Sequence, residues 1–254
     1  MNLDISLVLW KQVDGEACFP VDYHSNIVSL LKYVIKERYP EKYEYLFESN
    51  RTKYYTWALK FPNNARFSGR SIVIPSGPVS LDLRMRFHNR EDAEDFQSAF
   101  LWDAMNSGHE DKYLFGCTWE VTRAFISNSK EYTSGVVVKT MSNIACEMQL
   151  DGRTRFLSVN DGDTFIRSLK HTLAYKANEV LEGVSGLTED SIGIDITPVK
   201  AREVYNTIYG AKLPVTAGTF KLTGNKEIIN LSINGGLGSI TGSGFGMVRV
   251  IDMV

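Results

Sequence analysis

The chain has 254 residues, 43% hydrophobic and 23% charged, with a formal net charge of -2. That is enough for one large domain or two of about 125 residues, and no apolar run approaches the roughly 18 residues of a membrane span. Cys18, Cys117 and Cys146 are scattered, odd in number and without a Cys-x-x-Cys pair, and Met1-Asn2-Leu3-Asp4 lacks a basic segment followed by an apolar one. These features predict a cytoplasmic protein with no zinc site and no membrane partner.

In chain order, Leu3, Ile5, Leu7 and Leu9 alternate as in a half-buried strand. After Pro20, Ile27, Leu30, Leu31, Val34 and Ile35 recur at helical spacing, with Ser25 or Asn26 as the cap. Tyr55 to Phe61 and Val79 to Phe87 read as paired strands across a Gly/Pro/Asn/Ser-rich connection. A second helix opens on the acidic residues after Arg90 and carries Phe96, Phe100, Leu101 and Met105 as its apolar stripe. Tyr113 to Ile126 closes the unit as a strand.

The second half repeats that order. Strands are expected at Gly135–Met141, Ile144–Leu150, Ile192–Val199 and Thr219–Thr223, helices at Asp161–Leu181 and Lys226–Asn234, and a last strand at Met247–Ile251. The fold class is therefore α+β: tandem ferredoxin-like, RRM-like β-α-β-β-α-β domains over 1–127 and 131–254, joined near Ser127-Asn128-Ser129-Lys130.

Charge is unevenly spread. Residues 51–90 hold eight basic side chains and one acidic one, Asp82, whereas residues 91–131 carry nine carboxylates against Lys112, Arg123 and Lys130. A basic stripe beside an acidic one fits a nucleic-acid face, and equally fits two solvated faces of opposite sign. Near the C-terminus, six of the twelve residues from Gly235 to Gly246 are glycine. Such a run frees the backbone to approach a ligand and to aim N–H groups at phosphate oxygens. A helix precedes it and a strand follows, the reverse of a dinucleotide-binding turn, and no Gly-Lys-Ser/Thr ending marks a Walker loop.

The tail Gly236-Leu237-Gly238-Ser239 through Gly244-Phe245-Gly246-Met247 resembles the glycine-rich signature of the CRISPR-associated repeat-RNA endoribonucleases, the Cas-six family of the RAMP superfamily. Gly218-Thr219-Phe220-Lys221-Leu222-Thr223-Gly224 is similar to the segment before that family's last helix. Pro20-Val21-Asp22-Tyr23 and Tyr45-Leu46-Phe47-Glu48 are similar to its opening pattern. The resemblance implies a metal-independent endoribonuclease without cofactor. The ribose 2′-hydroxyl attacks the adjacent phosphorus, leaving 2′,3′-cyclic phosphate and 5′-hydroxyl ends and releasing guide RNAs. As partners it implies the CRISPR repeat RNA, precursor and processed, and it leaves open other Cas subunits of an interference complex and a homodimer.

The resemblance also assigns roles. His24, at the first helix, is the expected proton carrier, with Lys53 and Tyr54 stabilising the phosphorane and the leaving oxygen. Gly236, Gly238, Ser239, Gly242, Gly244 and Gly246 are expected to contact RNA, with Arg84 and Arg86 on one strand face reaching its backbone. Tyr54, Tyr55 and Trp57 are candidates to stack on bases, and Lys170 and Lys176 to line the RNA groove. One departure stands out: many members place a catalytic histidine in a Leu-His pair that aligns with Leu46-Phe47, and Phe47 transfers no proton. The alternative is a non-catalytic relative that holds guide RNA in an interference complex.

Overall fold

The computed structural model describes residues 3–49, 52–75, 77–106, 113–115, 117–150 and 152–254. Its first half runs β1 (Leu3–Val13), α1 (Tyr23–Arg38), β2 (Tyr55–Lys60), β3 (Gly77–Phe87), α2 (Arg90–Asn106) and β4 (Glu120–Asn128). The second half follows the same path: β5 (Val136–Thr140), α3 (Asp163–Val180), β6 (Ile194–Ile208), β7 (Ala211–Gly224), α4 (Lys226–Asn234) and β8 (Val248–Met253). The sheets are antiparallel with orders β2-β3-β1-β4 and β6-β7-β5-β8, so the two halves are ferredoxin-like folds in tandem.

Binary patterning explains the first core. On β3, Val79, Leu81, Leu83, Met85 and Phe87 are buried while the intervening side chains face outward. The inward row meets Ile27, Leu31, Val34 and Ile35 of α1 and Ala93, Phe96, Ala99 and Phe100 of α2. The expected stripe on α2 needs correction, because Leu101 and Met105 are exposed at 40% and 76%. They lie roughly 100–180° round the helix from Phe96 and Phe100. Asp22 occupies the N-cap position of α1, not Ser25 or Asn26, and its Oδ2 accepts from the N–H of Gly210 at 3.0 Å.

The connection after α1 shapes the candidate site. Tyr39 precedes Pro40 and leaves the helical region (φ -135°), ending α1. A short turn, Pro40–Tyr43, then widens into a π-helical turn, Glu44–Glu48, that carries Phe47.

The largest departure from expectation is the β6–β7 ribbon. Strands expected at 192–199 and 219–223 extend to 15 and 14 residues and pair from Ile194↔Gly224 to Ile208↔Ala211. Tyr209 and Gly210 make the two-residue turn, with φ of 49° and 75°. Beyond Lys200 and Thr219 the ribbon runs past its ladder with β5, and on β6 the alternation that marks a strand fades. Among the described residues, no helix is long and apolar enough to cross a membrane.

Candidate functional site

The glycine run is packed into the protein between the two halves. It leaves α4, makes a 3-10 turn at Thr241–Ser243 and enters β8. The turn rests on the start of β2: Trp57 Nε1 donates to the Gly242 carbonyl at 3.0 Å, Thr56 Oγ1 to that of Phe245 at 2.7 Å, and Thr241 Oγ1 to that of Lys53 at 3.2 Å. A Cβ on Gly244 would lie 2.5 Å from the Trp57 ring, and one on Gly238 would lie 2.2 Å from the Ala145 carbonyl oxygen. The N–H groups of Leu237, Ser239, Ser243, Gly244 and Gly246 all donate to carbonyls of this chain. The expectation of an open cradle is thereby corrected. Gly236, Gly238, Gly244 and Gly246 are buried, and Ser239 and Gly242 are the half-exposed members of the expected RNA-contact set.

Lys176 holds the first part of the run. It is fully buried on α3, where Nζ donates to the carbonyls of Gly235, Gly236 and Gly238 at 3.1, 3.1 and 3.3 Å. Burial pushes its pKa down to about 7, while the three carbonyl dipoles favour the charged form. An RNA-groove role is therefore replaced by an internal one. The signal lay in the sequence, because Lys176 falls three residues after Leu173 and seven after Leu169, on the apolar stripe of α3.

His24 holds the other part. Buried to 1% exposure, it lies between Tyr23 and Phe245, with ring centroids 4.4 and 4.5 Å away. Its Nδ1–H donates to the Ser243 carbonyl at 2.8 Å, leaving Nε2 to accept from Asn206 Nδ2 at 3.3 Å. Both ring nitrogens are thus engaged by the second half of the chain, and the expected proton carrier is enclosed in the fold. Burial lowers its pKa to about 4, against the opposing Ser243 hydrogen bond and Asp22 charge.

That shift predicts acid sensitivity with a definite sign. Between pH 6.5 and 4 the unfolded chain binds a proton at His24 that the folded chain refuses, so stability present above 6.5 falls as pH drops. The expected loss by pH 4.5 is about 2–3 kcal/mol. Denaturant unfolding of the native chain and of His24→Gln at both pH values isolates it, and equal losses in the two proteins would refute the assignment.

Lys53 emerges beside the turn. Its stem packs on Gly242, where a Cβ would come within 2.6 Å of Lys53 Cγ, and its Nζ donates to the Ser49 carbonyl at 3.3 Å. Burial and the neighbouring ammonium of Lys32 lower its pKa. Lys32 Nζ also sits 5.7 Å from the Phe47 ring, which packs against Tyr43 with centroids 5.7 Å apart. Two lysines and an aromatic ring therefore meet where α1, the π-helical turn and the start of β2 converge. Tyr54 is directed elsewhere, into a cleft of about 1550 Å³ that His88 also lines. Five carboxylates and three cations line that cleft, a poor balance for a polyanion.

The remaining candidates separate. Arg84 and Arg86 do share the outer face of β3. Arg84 is exposed and pairs with Asp82 at 2.9 Å, whereas Arg86 donates to the Val248 carbonyl at 2.7 Å and fastens the two halves. Tyr55 and Trp57 are core residues at 1% and 0% exposure and cannot stack on RNA. Lys170 pairs with Asp195 at 3.4 Å, and His171 contacts Glu189 at 3.3 Å on the surface of α3. His109 lies outside the described residues.

Residues 127–250 match the family model described as CRISPR associated protein Cas6, C-terminal. The second half of the chain therefore carries the C-terminal domain of the Cas6 family. The whole-chain fold recurs in solved structures. One, described as a Cas6-related gene product from Pyrococcus furiosus, is 18% identical, with a TM-score of 0.81 and 99% of each chain covered. Another, described as an RAMP protein binding different RNA substrates, is 20% identical, with a TM-score of 0.81, covering 98% of this chain and all of its own. A third, described as CRISPR associated protein Cas6, is 19% identical, with a TM-score of 0.75 over 99% of this chain and all of its own. No curated protein matches the sequence.

Proposed function

We propose that this protein binds the repeat of a CRISPR precursor RNA and cuts it without a metal ion. In the step proposed, the 2′-hydroxyl gives up its proton to water, its oxygen forms a bond to phosphorus, the bond to the 5′-oxygen breaks, and that oxygen leaves with a proton from Lys53. The products are a 2′,3′-cyclic phosphate and a 5′-hydroxyl. The observation that carries the reading is the Lys32–Lys53 pair beside the seated glycine turn. A phosphate between two ammonium groups relieves their mutual repulsion, and the charge that builds on the phosphorane strengthens the attraction.

Lys53 is the group best suited to protonate the leaving oxygen, because a lowered pKa makes its ammonium a stronger acid. Half-exposed Ser239 and Gly242, with exposed Arg84, supply RNA contact, whereas Tyr54 faces the acidic cleft and takes no part in the step. His24 acts through the fold and not on the substrate. The reading places the reaction in the cytoplasm.

A second reading has its own support. Phe47 fills the position where many relatives carry histidine, and its aromatic ring offers no proton. The chain would then hold repeat or guide RNA within an interference complex without cutting it. Incubation with the cognate repeat RNA in excess EDTA separates the two. Cutting predicts cyclic-phosphate ends and a rate reduced about 10²-fold in Lys53→Ala. Tight, salt-sensitive binding with intact RNA after hours would support the second reading.

A further inference from the structure

We infer that a polar relay from Asn143 through Asn206 to His24, ending on the carbonyl of Ser243, sets the position of Lys53, so that Asn206 and His24 are positioning residues of the cleavage site. Its catalytic meaning rests on the RNA-cutting reading above, whereas its geometry stands independently.

Each link has one donor and one acceptor. Asn143 Nδ2 donates to Asn206 Oδ1 at 2.8 Å, Asn206 Nδ2 to His24 Nε2 at 3.3 Å, and His24 Nδ1 to the Ser243 carbonyl at 2.8 Å. All three bonds are at least partly buried, where a lost partner leaves a polar group unsatisfied. The imidazole cannot swing away, because the Phe245 ring lies parallel to it within 10° and Tyr23 covers its other face. Asn143 also grips the run through its backbone, its carbonyl accepting from Gly246 N at 2.8 Å.

The relay ends on the turn that seats the lysine. Ser243 closes the 3-10 turn, and the preceding Gly242 lies on the Lys53 stem so closely that a Cβ there would meet Lys53 Cγ at 2.6 Å. Thr241 holds the Lys53 carbonyl from the same turn. Displacing the Ser243 carbonyl therefore displaces the surface on which Lys53 rests. Asn206 belongs to the β6–β7 ribbon, whose tip is tied to α1 by the bond from Gly210 N–H to Asp22. The second half of the chain thereby sets a side chain of the first. Burial and the charge of Lys32 on α1 both act on Lys53, so a change of seat should alter how Lys53 titrates.

The test uses Asn206→Leu, which removes two links, and the isosteric Asn206→Asp, which perturbs packing least. The pH midpoint of Lys53 acylation by acetic anhydride, read by mass spectrometry on the full chain, should lie below that of ordinary lysines in the native protein. It should rise towards the ordinary value of about 10.4 in Asn206→Leu. In Asn206→Asp the introduced carboxylate favours imidazolium, so the His24 midpoint, read by NMR of its ring, should rise above about 4. Single-turnover cutting should fall about tenfold or more while repeat affinity stays within about threefold. A folded Asn206→Leu protein with an unchanged Lys53 midpoint, or a folded Asn206→Asp protein with an unchanged His24 midpoint, would overturn the relay. A shifted midpoint in a protein that never cuts repeat RNA would uphold the relay and remove the cutting reading.

Discussion

Phe47→His is expected to raise single-turnover cutting of the repeat by about 10²- to 10⁴-fold, the range open to a well-placed general acid or base. Residue 47 lies on the π-helical turn, two residues before the Ser49 carbonyl that accepts from Lys53 and within 5.7 Å of the Lys32 ammonium. The native ring is half-buried, so an imidazole there would keep one edge towards Lys32 and gain a proton to exchange. The nearby lysine charge disfavours imidazolium, so the added activity should titrate below about pH 6.5. A folded variant that cuts at the native rate would show that the reaction is organised elsewhere on the protein.

The second large effect concerns stability. Gly244→Val is expected to cost about 3–5 kcal/mol, from a left-handed backbone position and overpacking together. Gly244 has φ of 87°, and its Cβ would approach three atoms of the Trp57 ring at 2.5–2.6 Å. Trp57 has no room to retreat, since it is fully buried and tied to the Gly242 carbonyl. The melting temperature should fall by roughly 10 °C for a chain of this size. Gly15→Ala is the control: its φ of 113° is also unusual, but no atom lies within 4 Å of the added Cβ, and about 1–2 kcal/mol is expected. Native-like melting of Gly244→Val, with repeat affinity lost, would mean that the glycine meets RNA and not Trp57.

Both predictions follow from features that were unequally legible in the sequence. The tandem β-α-β-β-α-β order could be read because Val79 to Phe87 alternate and α1 repeats its apolar residues at helical spacing, and local period reports one-sided burial. The outer ribbon could not. Pro214 reads as a breaker, and a ribbon standing off its sheet loses the inside–outside contrast that marks a strand.

The site was less legible still. His24 was placed on the first helix as a proton carrier, but its burial depends on Asn206 and Ser243, 182 and 219 residues away in the chain. The glycine run was recognisable as a place of close backbone approach, but sequence does not say what approaches. The approaching groups are Trp57, Thr56, Lys53 and Lys176 of the same chain. Phe47 was the reverse case, a local substitution whose chemical consequence, the missing proton, could be read directly.

The glycine run acts from inside the protein, as the seat of Lys53. Amide hydrogen exchange across residues 235–246, with and without repeat RNA, tests this most directly. The N–H groups of Leu237, Ser239, Ser243, Gly244 and Gly246 already have carbonyl partners, so they should exchange slowly in the RNA-free protein and change little when RNA binds. Exchange as fast as that of an unstructured peptide without RNA, followed by strong protection on adding it, would contradict the account and return the run to a phosphate-binding loop.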